Sequence, residues 1–191
     1  MTNSILLVGV GGQGTILASK LLTIGLMEAG YSVKMSEIHG MSQRGGSVST
    51  HVRYSKDTVY SPVIEEGEAD MIVAFEKMEA LRYMDYLKVG GKVVANDFKI
   101  ESMVNLTGQA DYEEAEIDKE LNRLGAKLIK VNEIAKELGN EKVMNVILLG
   151  CLVKSMNLEN IDWESIIKAN VKPKFIDINI EAFNKGLNLV G

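Results

Sequence analysis

Cysteine is nearly missing from this chain: its 191 residues include only one, Cys151. A lone cysteine forms no internal disulfide and cannot hold an iron–sulfur cluster, which takes about four thiolates. Histidine is as scarce. His39 and His51 are the only two, which argues against a dedicated zinc site. Basic residues are not in excess either. The net charge of −5 is the opposite of what a general nucleic-acid binder carries. No apolar run approaches the roughly 18 residues needed to cross a bilayer. Met1-Thr2-Asn3-Ser4 contains no basic stretch, and the apolar run after it stops at Gly9. That start reads as a strand and a turn rather than a secretory signal. The expectation is a cytoplasmic protein with neither a membrane nor a nucleic acid among its partners.

What is present is ordinary globular material, 46 % hydrophobic and 25 % charged. The length suits one domain over 1–191, large enough to bury a core without staples. Cys151 sits inside the run Val146–Val153 and reads as a small buried apolar side chain.

The pattern along the chain alternates between strands and helices. Ile5–Val8 is a short apolar run ended by glycine, the mark of a fully buried strand. Ile16, Leu17, Leu21, Leu22, Ile24 and Leu26 have helical spacing over 15–29, with Gly30 in place to close the helix. Ser32–Ser36 reads as a second strand, which completes a βαβ unit. Ser47–Tyr54 alternates like a strand. Ser55–Thr58 reads as a turn and Val59–Ser61 as its return, making a hairpin. The rhythm then resumes. Met71–Phe75 is a strand, Lys77–Leu87 a helix, Gly90-Gly91 a turn and Lys92–Ala95 a strand. An irregular stretch over 100–109 precedes an acidic helix over Tyr112–Leu124. Lys127–Val131 is a strand, and Asn132 is placed to cap a helix through Leu138. Val143–Met156 is the most apolar helix, and helices near Trp163–Ala169 and Ile176–Leu189 finish the chain. The expected fold class is α/β: a Rossmann-like three-layer sandwich, its sheet mostly parallel with an inserted β-hairpin.

Two loops carry the chemistry. Gly9-Val10-Gly11-Gly12-Gln13-Gly14 follows a strand and opens a helix. Glycines there allow a tight turn and a close ligand, and the helix N-terminus offers free N–H groups and partial positive charge to a phosphate. No Lys-Ser or Lys-Thr follows, so this is not a Walker loop. Gly9, Gly11 and Gly14, with Glu37 23 positions later, also satisfy a dinucleotide fingerprint. Glycines that merely let strand and helix pack closely would look the same. The second loop, Glu37-Ile38-His39-Gly40-Met41-Ser42-Gln43-Arg44-Gly45-Gly46-Ser47, leaves the end of the second strand. Arg44 on a glycine-flanked backbone suits a phosphate or carboxylate, unless it only pairs with a neighbouring acid. His51 and Arg53 extend the polar face along the next strand.

Together, the motifs at 9–14, 37–48 and 51–53 resemble the gamma domain of 2-oxoacid:ferredoxin oxidoreductases, most nearly the small (beta) subunits of the indolepyruvate branch. Val143-Met144-Asn145 and the terminal 179–186 segment look like that family as well. One departure is Asp97–Glu101, where the family pattern carries one or two prolines. The resemblance implies a subunit of an enzyme that oxidatively decarboxylates a 2-oxoacid to an acyl-coenzyme A and passes electrons to ferredoxin. It implies a large (alpha) subunit that carries thiamine diphosphate and the iron–sulfur clusters, with none of these bound by this chain alone. The single cysteine and the lack of a Gly-Asp-Gly motif are consistent with that division. It further implies a coenzyme A site shared with the partner. There, the backbone around Gly9, Gly11, Gly12, Gln13 and Gly14 faces a phosphate or the partner surface. Arg44, Gly45 and Gly46 line the channel, and Glu37, Ser42 and Gln43 shape the loop. No catalytic residue and no metal ligand is assigned.

Two other readings stay open. A free-standing NAD(P)-dependent oxidoreductase would use the same glycines with Glu37, but it needs a positioned acid–base group. No tyrosine–lysine pair at helical spacing supplies one: Tyr83 is followed by Leu87 and Tyr112 by Glu116. A nucleotide-binding regulatory module would share the glycine loop but leaves the Arg-Gly-Gly segment without a purpose. The subunit reading also predicts apolar surface on the isolated chain, or a homodimer that covers it.

Overall fold

A computed structural model describes residues 2–39, 46–101, 103–109 and 111–190. Strand β1 (Asn3–Val10) leads through the glycine loop into helix α1 (Thr15–Glu28), then to strands β2 (Ser32–His39), β3 (Ser47–Ser55) and β4 (Ala69–Ala74). Helix α2 (Lys77–Arg82), strand β5 (Leu87–Asn96), helices α3 (Met103–Leu106) and α4 (Glu114–Arg123), and strand β6 (Lys127–Ile129) follow. The chain closes with helices α5 (Val131–Glu137), α6 (Met144–Ser155), α7 (Trp163–Asn170) and α8 (Ile176–Leu187). None of the described helices is long and apolar enough to cross a membrane.

The six strands form one sheet in the order β2-β3-β1-β4-β5-β6. β1, β4, β5 and β6 pair in parallel, and β3 runs against both of its neighbours. Side chains alternate across the sheet, and each face has its own core. Ile5, Leu7, Val52, Met71 and Val73 pack against the helices on one side, α6 among them. Leu6, Val8, Ile72, Ala74 and Ala95 pack with Ile117 and Leu121 of α4 on the other. The result is the expected three-layer α/β arrangement with a mostly parallel sheet.

Helix α6 explains its own composition. Every residue from Met144 to Val153 is buried, so the helix needs no polar face. It lies on α8 through Gly150 and Gly186. An added Cβ at Gly186 would run into the Ile147 carbonyl oxygen, and one at Gly150 into that of Phe183. Cys151 is buried in this seam, and its thiol donates to the Gly186 carbonyl at 3.3 Å. Burial pushes that thiol up to about 12. At the end of α1, Gly30 takes φ +78° and donates to the Met27 carbonyl, while Tyr31 reaches back to Leu26. This is the expected glycine closure.

Several expectations change. The hairpin partner of β3 is β2, paired from Ser32↔Ser55 to His39↔Val48, and Val59–Ser61 is not a strand. Gly90-Gly91 is not a turn between elements. It lies within β5 opposite a register shift between Ala69 and Met71, with Gly90 at φ +80°. The helix from Lys77 ends at Arg82, and Met84–Tyr86 continues as a 3-10 turn. Asn132 caps nothing. It sits inside α5, where its Oδ1 accepts from Asn96 Nδ2 at 2.7 Å.

Candidate functional site

Ligands in open α/β sheets gather at the carboxyl ends of the strands, and both loops of interest open there. The ladder between β1 and β4 ends at Val8↔Ala74, after which the glycine loop turns into α1. Gly12 and Gly14 take φ +103° and +83°, the left-handed region that suits glycine. Gly9 is glycine for a different reason: an added Cβ would lie 2.9 Å from both Gln13 Oε1 and Phe75 Cβ.

The loop's N–H groups divide into two sets. Those of Val10, Gly11 and Gln13 are used internally, by Gln13 Oε1 (2.8 Å), the Gly46 carbonyl (3.0 Å) and the Val10 carbonyl (3.3 Å). Those of Gly12, Gly14, Thr15 and Ile16 have no acceptor among the described residues. Among the described residues no side chain caps α1, and its first turn holds no acidic residue. The positive end of a 14-residue helix is therefore left uncompensated by the described residues. Around Gly12 an added Cβ would meet nothing within 4 Å among the described residues. This is space and donor chemistry that fits a phosphate.

The second loop reaches the first. Gly46 accepts the Gly11 N–H, and Ser47, the first residue of β3, stands opposite Val10. Ser42, Gln43, Arg44 and Gly45 lie outside the described residues. Glu37 stands on β2 opposite Thr50, with its carboxylate 3.4 Å from His39 Nε2. β3 lies between β2 and β1, which puts Glu37 two strand spacings, about 10 Å, from the glycine loop's own strand. A dinucleotide fold needs that acid on the adjacent strand. His51 and Arg53 do not extend a ligand face. Arg53 stands opposite Ser4 at the other end of the sheet and donates to the Val63 carbonyl at 2.9 Å. His51 is buried, its Nδ1 accepting the Ile64 N–H at 3.1 Å.

Other polar groups at this edge have weaker sequence signals. Asn145, in the first turn of α6, donates to the Gly14 carbonyl at 3.2 Å, while its buried Oδ1 has no partner among the described residues. Glu76 follows β4 and is buried. It caps α2 through the Glu79 N–H (2.9 Å) and accepts from the Tyr112 hydroxyl (2.5 Å) and the Ile100 N–H (3.2 Å). Burial holds its carboxyl above the ordinary range despite these donors. Lys77, also buried, meets Asp97, Glu114 and Asp118 at 2.9, 2.7 and 2.9 Å. Burial alone would lower its pKa, but the three carboxylates raise it above the ordinary lysine value. The signal for this cluster is Glu76-Lys77-Met78-Glu79, a charged run directly after the buried apolar run Met71–Phe75.

The chain matches the family model "Pyruvate ferredoxin/flavodoxin oxidoreductase" over residues 4–189. It is 40 % identical over 190 residues to "Indolepyruvate oxidoreductase subunit IorB" of Thermococcus kodakarensis, covering 96 % of this chain and 94 % of that one. The protein of the same name from Archaeoglobus fulgidus is 38 % identical, with 98 % and 95 % covered. Among solved structures, a keto/oxoacid ferredoxin oxidoreductase gamma subunit from Geobacter sulfurreducens superposes with a TM-score of 0.71 at 21 % identity, covering 98 % and 97 %. The 2-oxoglutarate:ferredoxin oxidoreductase of Magnetococcus marinus, solved with 2-oxoglutarate, coenzyme A and succinyl-CoA bound, superposes with a TM-score of 0.73 at 23 % identity. There the match covers 98 % of this chain and 31 % of that one. At those identities the two structures speak to the fold alone, whereas the family model spans almost the whole chain. The chain belongs to the pyruvate ferredoxin/flavodoxin oxidoreductase family, as one of its small 2-oxoacid oxidoreductase subunits.

Proposed function

We propose that this chain, as a single gamma-type domain over 1–191, is the small subunit of a two-subunit indolepyruvate-type oxidoreductase that converts an aryl pyruvate to its acyl-coenzyme A and reduces ferredoxin. The large subunit would carry thiamine diphosphate and the iron–sulfur clusters, and the complex would work in the cytoplasm. The substrate class rests on relatives named for indolepyruvate. The observation that carries the site is the uncapped first turn of α1, with four N–H groups lacking acceptors among the described residues, hydrogen-bonded through Gly11 to the end of the second loop. Coenzyme A, when bound, supplies the thiol that accepts the acyl group. Toward it, the backbone of Gly12, Gly14, Thr15 and Ile16 would donate to a phosphate, and Arg44 would counter negative charge. Glu37, Ser42, Gln43, Gly45 and Gly46 would shape the channel wall. The strand between Glu37 and β1 argues against the NAD(P) reading.

Co-expression with the large subunit and anaerobic assay of coenzyme A-dependent viologen reduction tests this. Indolepyruvate, phenylpyruvate, pyruvate and 2-oxoglutarate are compared, with each subunit also tested alone. Activity on aryl pyruvates that requires both chains is expected. Ile16→Glu probes the loop. A carboxylate in the first turn of α1 favours the helix by about 0.3–1 kcal/mol, yet repels an anionic ligand, so a raised coenzyme A KM in an intact complex is expected. An isolated chain that binds NAD and forms no complex would overturn the reading.

A further inference from the structure

A line of uncharged amide side chains crosses the carboxyl edge of the sheet. Gln13 Oε1 accepts the Val10 N–H at 2.8 Å, and Gln13 Nε2 donates to the Phe75 carbonyl, also at 2.8 Å. The same carbonyl accepts Asn96 Nδ2 at 3.1 Å. Asn96 then reaches the start of α5: Nδ2 donates to Asn132 Oδ1 at 2.7 Å, and Oδ1 accepts the Val131 N–H at 3.1 Å. Asn96 is 0 % exposed. The ends of β1, β4 and β5 are thus tied to one another and to α5 by side chains that carry no charge.

The place where this line runs matters. Backbone pairing holds β1 to β4 only as far as the Phe75 N–H, which donates to the Val8 carbonyl at 2.8 Å. Past that point Gln13 spans from the β1 end to the β4 end, and it belongs to the segment whose N–H groups without an acceptor among the described residues begin at Gly12. Asn96 is buried and must satisfy donor and acceptor together, and the half-buried Gln13 meets it at the Phe75 carbonyl, so the two links depend on each other. The Phe75 carbonyl uses both lone pairs and joins the Gln13 and Asn96 links into one network.

We propose that Gln13 and Asn96 are positioning residues for the glycine loop. By sharing the Phe75 carbonyl, they set the direction of the Gly12, Gly14, Thr15 and Ile16 N–H groups toward a phosphate of the acyl-accepting cofactor. This rests on the placement of coenzyme A at that loop.

The two-subunit complex is prepared with Gln13→Leu, Asn96→Leu, the double variant, and Gln13→Glu. Coenzyme A affinity is measured by calorimetry without oxoacid, and KM and kcat by turnover. Gln13→Leu weakens Kd and KM about tenfold, the size of one well-made hydrogen bond, while kcat stays within about twofold. Asn96→Leu acts in the same direction, and the double variant binds no more weakly than Gln13→Leu, because the shared link is already broken. Gln13→Glu binds weakly at neutral pH and approaches wild type at the same pH as acid protonates it, since a protonated carboxyl offers the donor and acceptor of the amide. Unchanged affinity in assembled complexes, or independent additive effects, overturns the proposal. If Asn96→Leu does not assemble, the Gln13→Glu profile decides: a flat ratio to wild type across pH overturns it. The underlying placement fails separately. It falls if Ile16→Glu leaves coenzyme A affinity unchanged; if Ile16→Glu weakens binding and the Gln13 variants do not, only the positioning role falls.

Discussion

Replacing Lys77 with methionine should destabilise the fold and do so in a pH-dependent way. The lysine side chain is 2 % exposed and is the common partner of Asp97, Glu114 and Asp118. Methionine fills the aliphatic channel but removes the ammonium that the three carboxylates share, leaving Glu114 only its longer contact with Lys99 at 3.6 Å. Breaking a buried ion pair costs about 3–5 kcal/mol. These carboxylates are 27–47 % exposed and can turn toward water, so the lower end, about 3 kcal/mol, is the expected loss. In a chain of this length that lowers Tm by about 6–12 °C. The sign with pH follows from the partners. Hydrogen bonding to Lys77 holds the Glu114 carboxyl below its ordinary value of 4.5. Its contribution is therefore complete above 4.5 and is lost as pH falls through the lowered folded value. The lysine's own raised value keeps its contribution complete below 10.5. Thermal melts of wild type and Lys77→Met should differ by a constant amount from pH 8 to about 6 and converge below about 4.5. A Tm change under about 2 °C, or a gap that stays constant into strong acid, would refute the idea that the buried ammonium organises this edge.

Two further outcomes follow from the core. Gly186→Ala gains about 1 kcal/mol of helix propensity but drives a methyl into the Ile147 carbonyl; overpacking of this kind costs about 1–3 kcal/mol. Because the obstacle is backbone, the upper end applies and the net is a destabilisation of about 1–2 kcal/mol in chemical denaturation; an unchanged midpoint would show that the α6–α8 seam can spread. Burial pushes His51 below its ordinary value of 6.5, so the unfolded chain takes up the proton first and stability falls as pH drops below 6.5. His51→Gln keeps an acceptor for the Ile64 N–H and should remove that part of the slope between about pH 6.5 and 5 in urea titrations.

How far the sequence reads ahead of the fold depends on whether a signal is local. The run Ile5–Val8, the glycine loop and the α1 periodicity with Gly30 each report a conformation decided within a few residues. All three stand where the spacing puts them. The apolar run around Cys151 is likewise a buried helix, since a segment apolar on every side has to be covered on every side. The order of strands is not local. Nothing in Ser47–Ser55 says that it pairs with β1 on one edge and β2 on the other, because alternation records which face is buried but not which neighbour covers it. That insertion separates Glu37 from the glycine loop's strand, and so a motif that fits by spacing does not fit in space. Gly90-Gly91 misleads for a related reason, since the same residues that make turns also make irregularities within a strand. The amide line from Gln13 to Asn132 and the three-carboxylate setting of Lys77 join residues between 20 and 62 positions apart. Sequence alone determined the class of fold, the glycine loop and the family. Only the tertiary structure decided which loop N–H groups are spent and which remain, because that accounting depends on partners brought together by the packing of the whole sheet.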